Sequence, residues 1–244
     1  MGSTNTQGFT IIETLLFLGV TGLLAVGLLV GSGAAIGQQR YRDSVNSLKS
    51  TIQQQYSDVS NTTNARSGDW SCDASGNASQ GPGGQTRGTS DCVMMGRVLT
   101  VKDGVTITAS NVVGYRPAGA TGANDIAELA LYNMTPLTID QDITEMNWQS
   151  VVVQPHTSTP ASYTVLILRS PLTGSIKTFV VNNASTYTNL NALVTSANQA
   201  NEHILCVAAP VGTFVGSQMG VRISALANNQ GAISIPLETE GVCG

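Results

Sequence analysis

The chain has 244 residues, of which 11% are charged and 5% aromatic, and its net charge is −4. It is long enough to bury a real core, but its charge excludes a cationic field over the whole molecule that would draw it to nucleic acid or acidic lipid, so any DNA contact would have to be local. Few aromatics beside 26 glycines suit exposed strands and loops better than a packed cytosolic enzyme.

The first element is apolar. From Thr14 to Gly37 no residue is charged, and about two dozen helical residues are enough to cross a hydrocarbon layer of ~30 Å. Met1 to Gly8 has no Lys or Arg, so the basic n-region of a secretory signal peptide is absent. The run does not end in a turn. Tyr41, Val45, Leu48, Ile52, Tyr56 and Val59 follow at steps of three and four, the stripe of an amphipathic helix, with Arg42, Asp43, Asn46, Lys49 and Gln53 on the other face. One long helix is predicted from about Phe9, its first half suited to lipid and its second half needing a surface supplied by the rest of the chain.

Glu13 stands alone at the mouth of the apolar run. A carboxylate facing lipid costs on the order of 2.5 kcal/mol near the middle of a span and less toward its end, so it needs a partner. If the chain is cut after Gly8, the new amino group of Phe9 lies one helical turn away and can pair with Glu13 of its own or a neighbouring chain. The segment GFTIIETLL, Gly8 to Leu16, resembles the processing site of type IV prepilins and the related pseudopilins: a glycine before the cut, an aromatic first mature residue, a glutamate fifth in the mature chain, and a long uncharged run. The resemblance implies removal of residues 1–8 by a prepilin peptidase that also N-methylates Phe9. It further implies residence in the inner membrane, delivery to a pilus assembly platform, and helical homo-oligomerisation through the N-terminal helices. Glu13 then registers an incoming subunit against the Phe9 amine of one already in the filament.

Two features depart from the family's usual pattern. The leader lacks basic residues while Arg40 and Arg42 flank the far end of the span, so a charge count alone would put that end in the cytoplasm; disulfides require it outside. No proline interrupts the helix, which instead carries Gly19, Gly22, Gly27, Gly31, Gly33 and Gly37, each costing roughly 1 kcal/mol against alanine in an aqueous helix.

Between Ser60 and Arg97 the composition turns to Asn, Thr, Ser and Gly, including SGNASQGPGGQTRGTSD, a surface loop that buries too little apolar area to fold unaided. From Arg97, RVLTVK and VTITASNVVGY flank Asp103-Gly104, a tight hairpin signal. SYTVLILRS and SIKTFVVNN flank Pro171 to Gly174, and VRISALA and GAISIPL flank Asn228 to Gln230; WQSVVVQP and HILCVAA add strands, and Thr186 to Ala200 reads as a short helix. The expected fold class is α+β: a pilin-like long helix laid on one antiparallel sheet. The expected divisions are leader 1–8, helix 9–60, loop 61–96 and β-rich extracellular domain 97–244.

The four cysteines fit no zinc spacing, and an even number behind an export-like segment favours disulfides. Of three possible pairings, Cys72 with Cys92 and Cys206 with Cys243 are preferred because each pair brackets a turn-rich or hairpin-like stretch; four buried thiols are the alternative. No catalytic arrangement, metal site or cofactor loop stands out. His156 and His203 are isolated, GSQMG places its serine too early for a nucleophile elbow, and Asp140, Asp142 and Glu145 lack the spacing of an EF-hand and read as a solvated acidic turn. Arg66, Arg87, Arg97 and Arg116 read as dispersed surface charge. The resemblance therefore implies a structural subunit of a type IV pilus or pilus-like surface filament, held in the cell membrane before assembly and extracellular afterwards. Adhesion, twitching motility and DNA uptake all occur in that family. The alternatives are a pseudopilin or minor pilin of a secretion-type system, and a membrane-anchored binding domain that does not polymerise.

Overall fold

The computed structural model describes residues 10–61, 70–80, 92–119, 121–138, 141–183, 190–213, 217–237 and 240–243. The first helix, α1, runs unbroken over Ile11–Ser60, glycines included. Thr10 starts it: its side chain accepts the Glu13 amide and the Glu13 side chain reaches back to the Thr10 backbone, a capping box encoded as T-I-I-E. Its apolar first half touches little. Residues 22–36 are all exposed, and burial begins in earnest at Tyr41. From there Tyr41, Val45, Leu48, Ile52, Tyr56 and Val59 are sealed, as the three-four spacing requires, and each such side chain contributes roughly 1.5–3 kcal/mol.

Two short strands follow, β1 (Trp70–Cys72) and β2 (Ala78–Gln80), paired antiparallel around an Asx-type turn in which Asp73 accepts the Ser75 and Asn77 amides. They and the start of β3 (Cys92–Lys102) lie inside the stretch read as loop; residues 81–91 lie outside the described residues. β4 (Thr106–Tyr115) returns alongside β3. The turn joining them puts Asp103 at φ 51° and Gly104 at φ 71°. A side chain at Gly104 would meet the Val152 carbonyl at 2.3 Å, so glycine is required on both counts. Then come α2 (Asp125–Leu131), β5 (Asn133–Pro136), β6 (Asp142–Glu145), β7 (Val151–Val153), β8 (Tyr163–Arg169), β9 (Ile176–Val181), α3 (Ser196–Ala200), β10 (His203–Ala208), β11 (Met219–Ile223) and β12 (Ile233–Ser234).

The molecule is α+β, but with two principal antiparallel sheets where one was expected. One has the order β5-β4-β3-β8-β9 with β6 added on β4, and the other β12-β11-β10-β7. α3 packs beside β9, and the chain then continues into β10, which pairs with β7 and β11 in the other sheet. The sealed stripe of α1 meets both: Leu99, Val101, Val165 and Ile167 from the first, Leu205, Val207, Val221 and Ile223 from the second. Side chains alternate across β8, so Leu166 and Leu168 point the other way, into a second core with Met95, Phe179, Leu129 and Leu193. Covering on both faces is why TVLIL reads as a continuous apolar run. The helix expected over Thr186 to Ala200 is, among the described residues, a 3-10 turn at Asn191–Leu193 followed by α3. Thr195 breaks it by capping α3 anew, its side chain accepting the Asn198 amide.

Candidate functional site

The feature that the fold sets apart is the free half of α1. It carries a row of large exposed apolar side chains, among them Ile11, Leu15, Phe17, Leu23, Leu28 and Val30, and α1 is the helix long and apolar enough to cross a membrane. A helix apolar on all sides with no protein around it is stable only in lipid or among other apolar helices. At its head Glu13 accepts from the Thr10 backbone N–H and hydroxyl at 3.3 and 3.4 Å, while the Glu13 N–H donates to Thr10 Oγ1 at 3.3 Å. The carboxylate also sits in the first turn, where the helix dipole favours negative charge. Gly8 and Phe9 lie outside the described residues, and with them the Phe9–Glu13 pairing. Thr10 is the residue that sequence reasoning passed over, although its spacing to Glu13 is the capping-box signature.

The other half of α1 is bolted to the domain by polar contacts at two levels. Near the free half, the Tyr41 hydroxyl donates to the Val207 carbonyl and accepts the Met219 amide, each at 2.6 Å, bridging paired residues of β10 and β11. Farther along, Arg97 Nε donates to Gln55 Oε1 at 2.8 Å, Nη1 to Asn111 Oδ1 at 2.9 Å and Nη2 to Asp142 Oδ2 at 2.8 Å, with Asp58 at 3.8 Å. Arg97 is therefore a buried strut between helix and sheet, not the dispersed surface charge its sequence context suggested, because β3 turns it toward α1. Part of the stretch read as an acidic turn is strand: Asp142 opens β6, which pairs with β4, while Asp140 lies outside the described residues. Beside this layer the Tyr56 phenol bonds Thr178 Oγ1 at 2.8 Å, and burial pushes its pKa up to about 12.

No protein-family model, curated protein or solved structure matches this chain.

Among the described residues no three His, Cys, Asp or Glu side chains converge on a metal-sized site. His156 is exposed in a turn at φ 59°, and His203, half-buried on β10, is held below the ordinary imidazole range by desolvation. Glu128 is buried, accepts from Arg116 Nε and the Gly122 amide at 2.7 Å each, and is lowered by those bonds, the Arg116 one first. Asp125 accepts hydroxyls from Ser170, Thr173 and Ser175 with Lys177 at 3.5 Å, and is lowered chiefly by the Ser170 bond. Both carboxylates are fully engaged in holding loops. The cysteines are paired Cys72–Cys92 and Cys206–Cys243. The second closes 37 residues of chain, and on the chain-entropy estimate such a loop contributes about 4 kcal/mol; it ties the C-terminal tail to β10.

Proposed function

We propose that this chain is a structural subunit of a type IV pilus-like surface filament, anchored by α1 in the cell membrane and polymerised through the same helix after removal of residues 1–8. One observation carries the reading: the apolar half of α1 projects, uncovered, from a disulfide-bonded domain that uses only the other half of that helix for its own core. A polymer transfers that surface from lipid to a bundle of like helices, so hydrophobic burial changes little and packing plus a charge pair must set the register. Glu13, the sole charge between Thr10 and Gly37, is the group to do it, against the methylated amine of Phe9. Prepilin peptidase and an assembly platform are the partners this requires.

The capping box favours a second reading, a membrane-anchored binding domain that never polymerises, in which Glu13 merely starts the helix. Glu13→Gln separates the two, because glutamine keeps the reach to the Thr10 backbone and loses the charge. In cells, the pilus reading expects Glu13→Gln to be cleaved and inserted normally while sheared surface filaments disappear, and mature protein to begin at methylated Phe9. Wild-type filament yield from Glu13→Gln would reject the charge pair, and an intact Met1 in the mature protein would reject the pilus reading altogether. The amount of this chain in sheared filaments separates a major subunit from a minor pilin or pseudopilin.

A further inference from the structure

Where α1 leaves the domain, two loops close around it. The turn at residues 210–213, held by the Thr213 amide donating to the Pro210 carbonyl at 3.1 Å, reaches Gly37, and a side chain there would lie 3.2 Å from the Thr213 methyl. On the other approach, the 3-10 turn Asn147–Gln149 is pinned to the helix by Ser44 Oγ donating to the Asn147 carbonyl at 3.1 Å and Asn147 Nδ2 donating to Ser47 Oγ at 2.9 Å. Trp148 and Gln149 both sit in the left-handed region, at φ 56° and 57°, a conformation that costs on the order of 1 kcal/mol or more for each such residue. The result is an indole left 51% exposed with the Arg40 guanidinium 4.8 Å above its ring. Gly37, Arg40, Trp148, Gln149, Pro210 and Thr213 line a cavity of about 260 Å³ at this junction. Val211, at the tip of the turn, is completely exposed.

The position of this collar is fixed by the helix. At ~1.5 Å per residue, Thr14 to Gly37 spans roughly 35 Å, slightly more than a hydrocarbon core of ~30 Å. Any bilayer that accommodates the uncharged run must therefore end within about a turn of Gly37, at the level of Trp148, Arg40 and Val211. Each has the chemistry of that boundary: an indole with an apolar body and a polar edge, a guanidinium suited to phosphate, and an aliphatic tip.

We infer that the collar is a lipid-docking surface, in which Arg40, Trp148 and the 210–213 turn seat against anionic phospholipid headgroups of the leaflet from which α1 emerges. This rests on the reading of α1 as a membrane span, and it accounts for a basic residue on the side of the span where a charge count would not place one. The contact is local, compatible with the acidic whole. It also fixes the domain's tilt on the membrane, so that subunits present α1 to a growing filament in one orientation.

The test uses the full chain in vesicles of phosphatidylcholine and phosphatidylglycerol at about 3:1. Trp70→Phe leaves Trp148 as the single tryptophan. Its emission should shift to the blue and be quenched by lipids labelled near the headgroup about twofold more than by lipids labelled deep in the acyl chain. Arg40→Gln, Val211→Asp and omission of phosphatidylglycerol should each reduce the shallow quenching; because Val211 is fully exposed, the Val211→Asp result does not depend on repacking. Quenching that survives all three changes overturns the proposal, as does protection of Trp148 that grows with the protein-to-lipid ratio, which would identify a second copy as the occupant. A companion protein with Leu24→Trp on a Trp70→Phe, Trp148→Phe background reports the span. Deep quenching there with an unquenched Trp148 refutes docking alone, and no quenching at either position refutes the span itself.

Discussion

Tyr41 is where the free helix becomes a built-in one, and removing a single atom from it measures how firmly the two parts are joined. In Tyr41→Phe the ring, 2% exposed, stays packed and only the hydroxyl goes. Two backbone groups then lose a hydrogen bond to that hydroxyl: the carbonyl of Val207, a residue with no exposed surface, and the amide of Met219, which is half-buried. Each hydrogen bond lost is worth about 0.5–1.5 kcal/mol net, so the expected loss is about 1–3 kcal/mol. For a chain of this size that is a fall of roughly 2–12 °C in Tm. The assay is a thermal melt of the full chain in mild detergent, disulfides intact, followed by circular dichroism of the β-rich domain. Tyr56→Phe is the internal control: its hydroxyl meets another hydroxyl, Thr178 Oγ1, which can rotate to a new partner, so about 1 kcal/mol is expected. A Tyr41→Phe melt within about 1 °C of wild type, or one milder than Tyr56→Phe, would refute the argument that this bridge couples α1 to β10 and β11.

Other outcomes follow from the same layer. Arg97→Met should destabilise by about 3 kcal/mol, because Gln55 is left buried without its donor, whereas Asp142→Asn should cost under about 1 kcal/mol since that carboxylate is 70% exposed; denaturant midpoints compare them, and equal losses would contradict the strut. The folded Tyr56 phenol at about 12 lies above its unfolded value of 10.0, so the native state holds a proton that the unfolded state has released. Its contribution is then fully present below pH 10 and disappears as pH rises toward about 12. Stability of wild type should fall across that window more steeply than that of Tyr56→Phe, read by denaturant melts at stepped pH.

How much of this was legible beforehand depends on whether the signal was local. The uncharged run and the three-four stripe after it identified α1, since both are properties of one element meeting two different surroundings. Asp103-Gly104 marked its hairpin because backbone geometry there admits few residues. The second sheet was hidden: nothing in HILCVAA states whether it pairs with β9 or β7, because that choice is made by strands distant in sequence. Arg97 misread for a related reason. Its partners Gln55, Asn111 and Asp142 are distant in sequence and none signals a buried cation alone. Within the candidate site, Glu13 stood out by charge, but the T-I-I-E box was overshadowed by the need for a cation.

The two readings of Glu13 need not compete at the same moment. On the proposed reading, before cleavage the capping box gives the carboxylate hydrogen bonds at the end of the span, so that it does not meet the membrane unpartnered. After the proposed cleavage a new amine would lie within a turn of the same carboxylate, and hydrogen bonds at 3.3 to 3.4 Å are long enough to be given up for an ion pair in a low-dielectric bundle. On that proposal a locally satisfied acid is tolerable in a membrane-held monomer and becomes a register mark only when a second chain start arrives. Tyr41 and Arg97 hold α1 to the domain at two levels and the 210–213 turn meets it at Gly37; on the proposed reading these contacts keep the helix in one orientation while that exchange occurs.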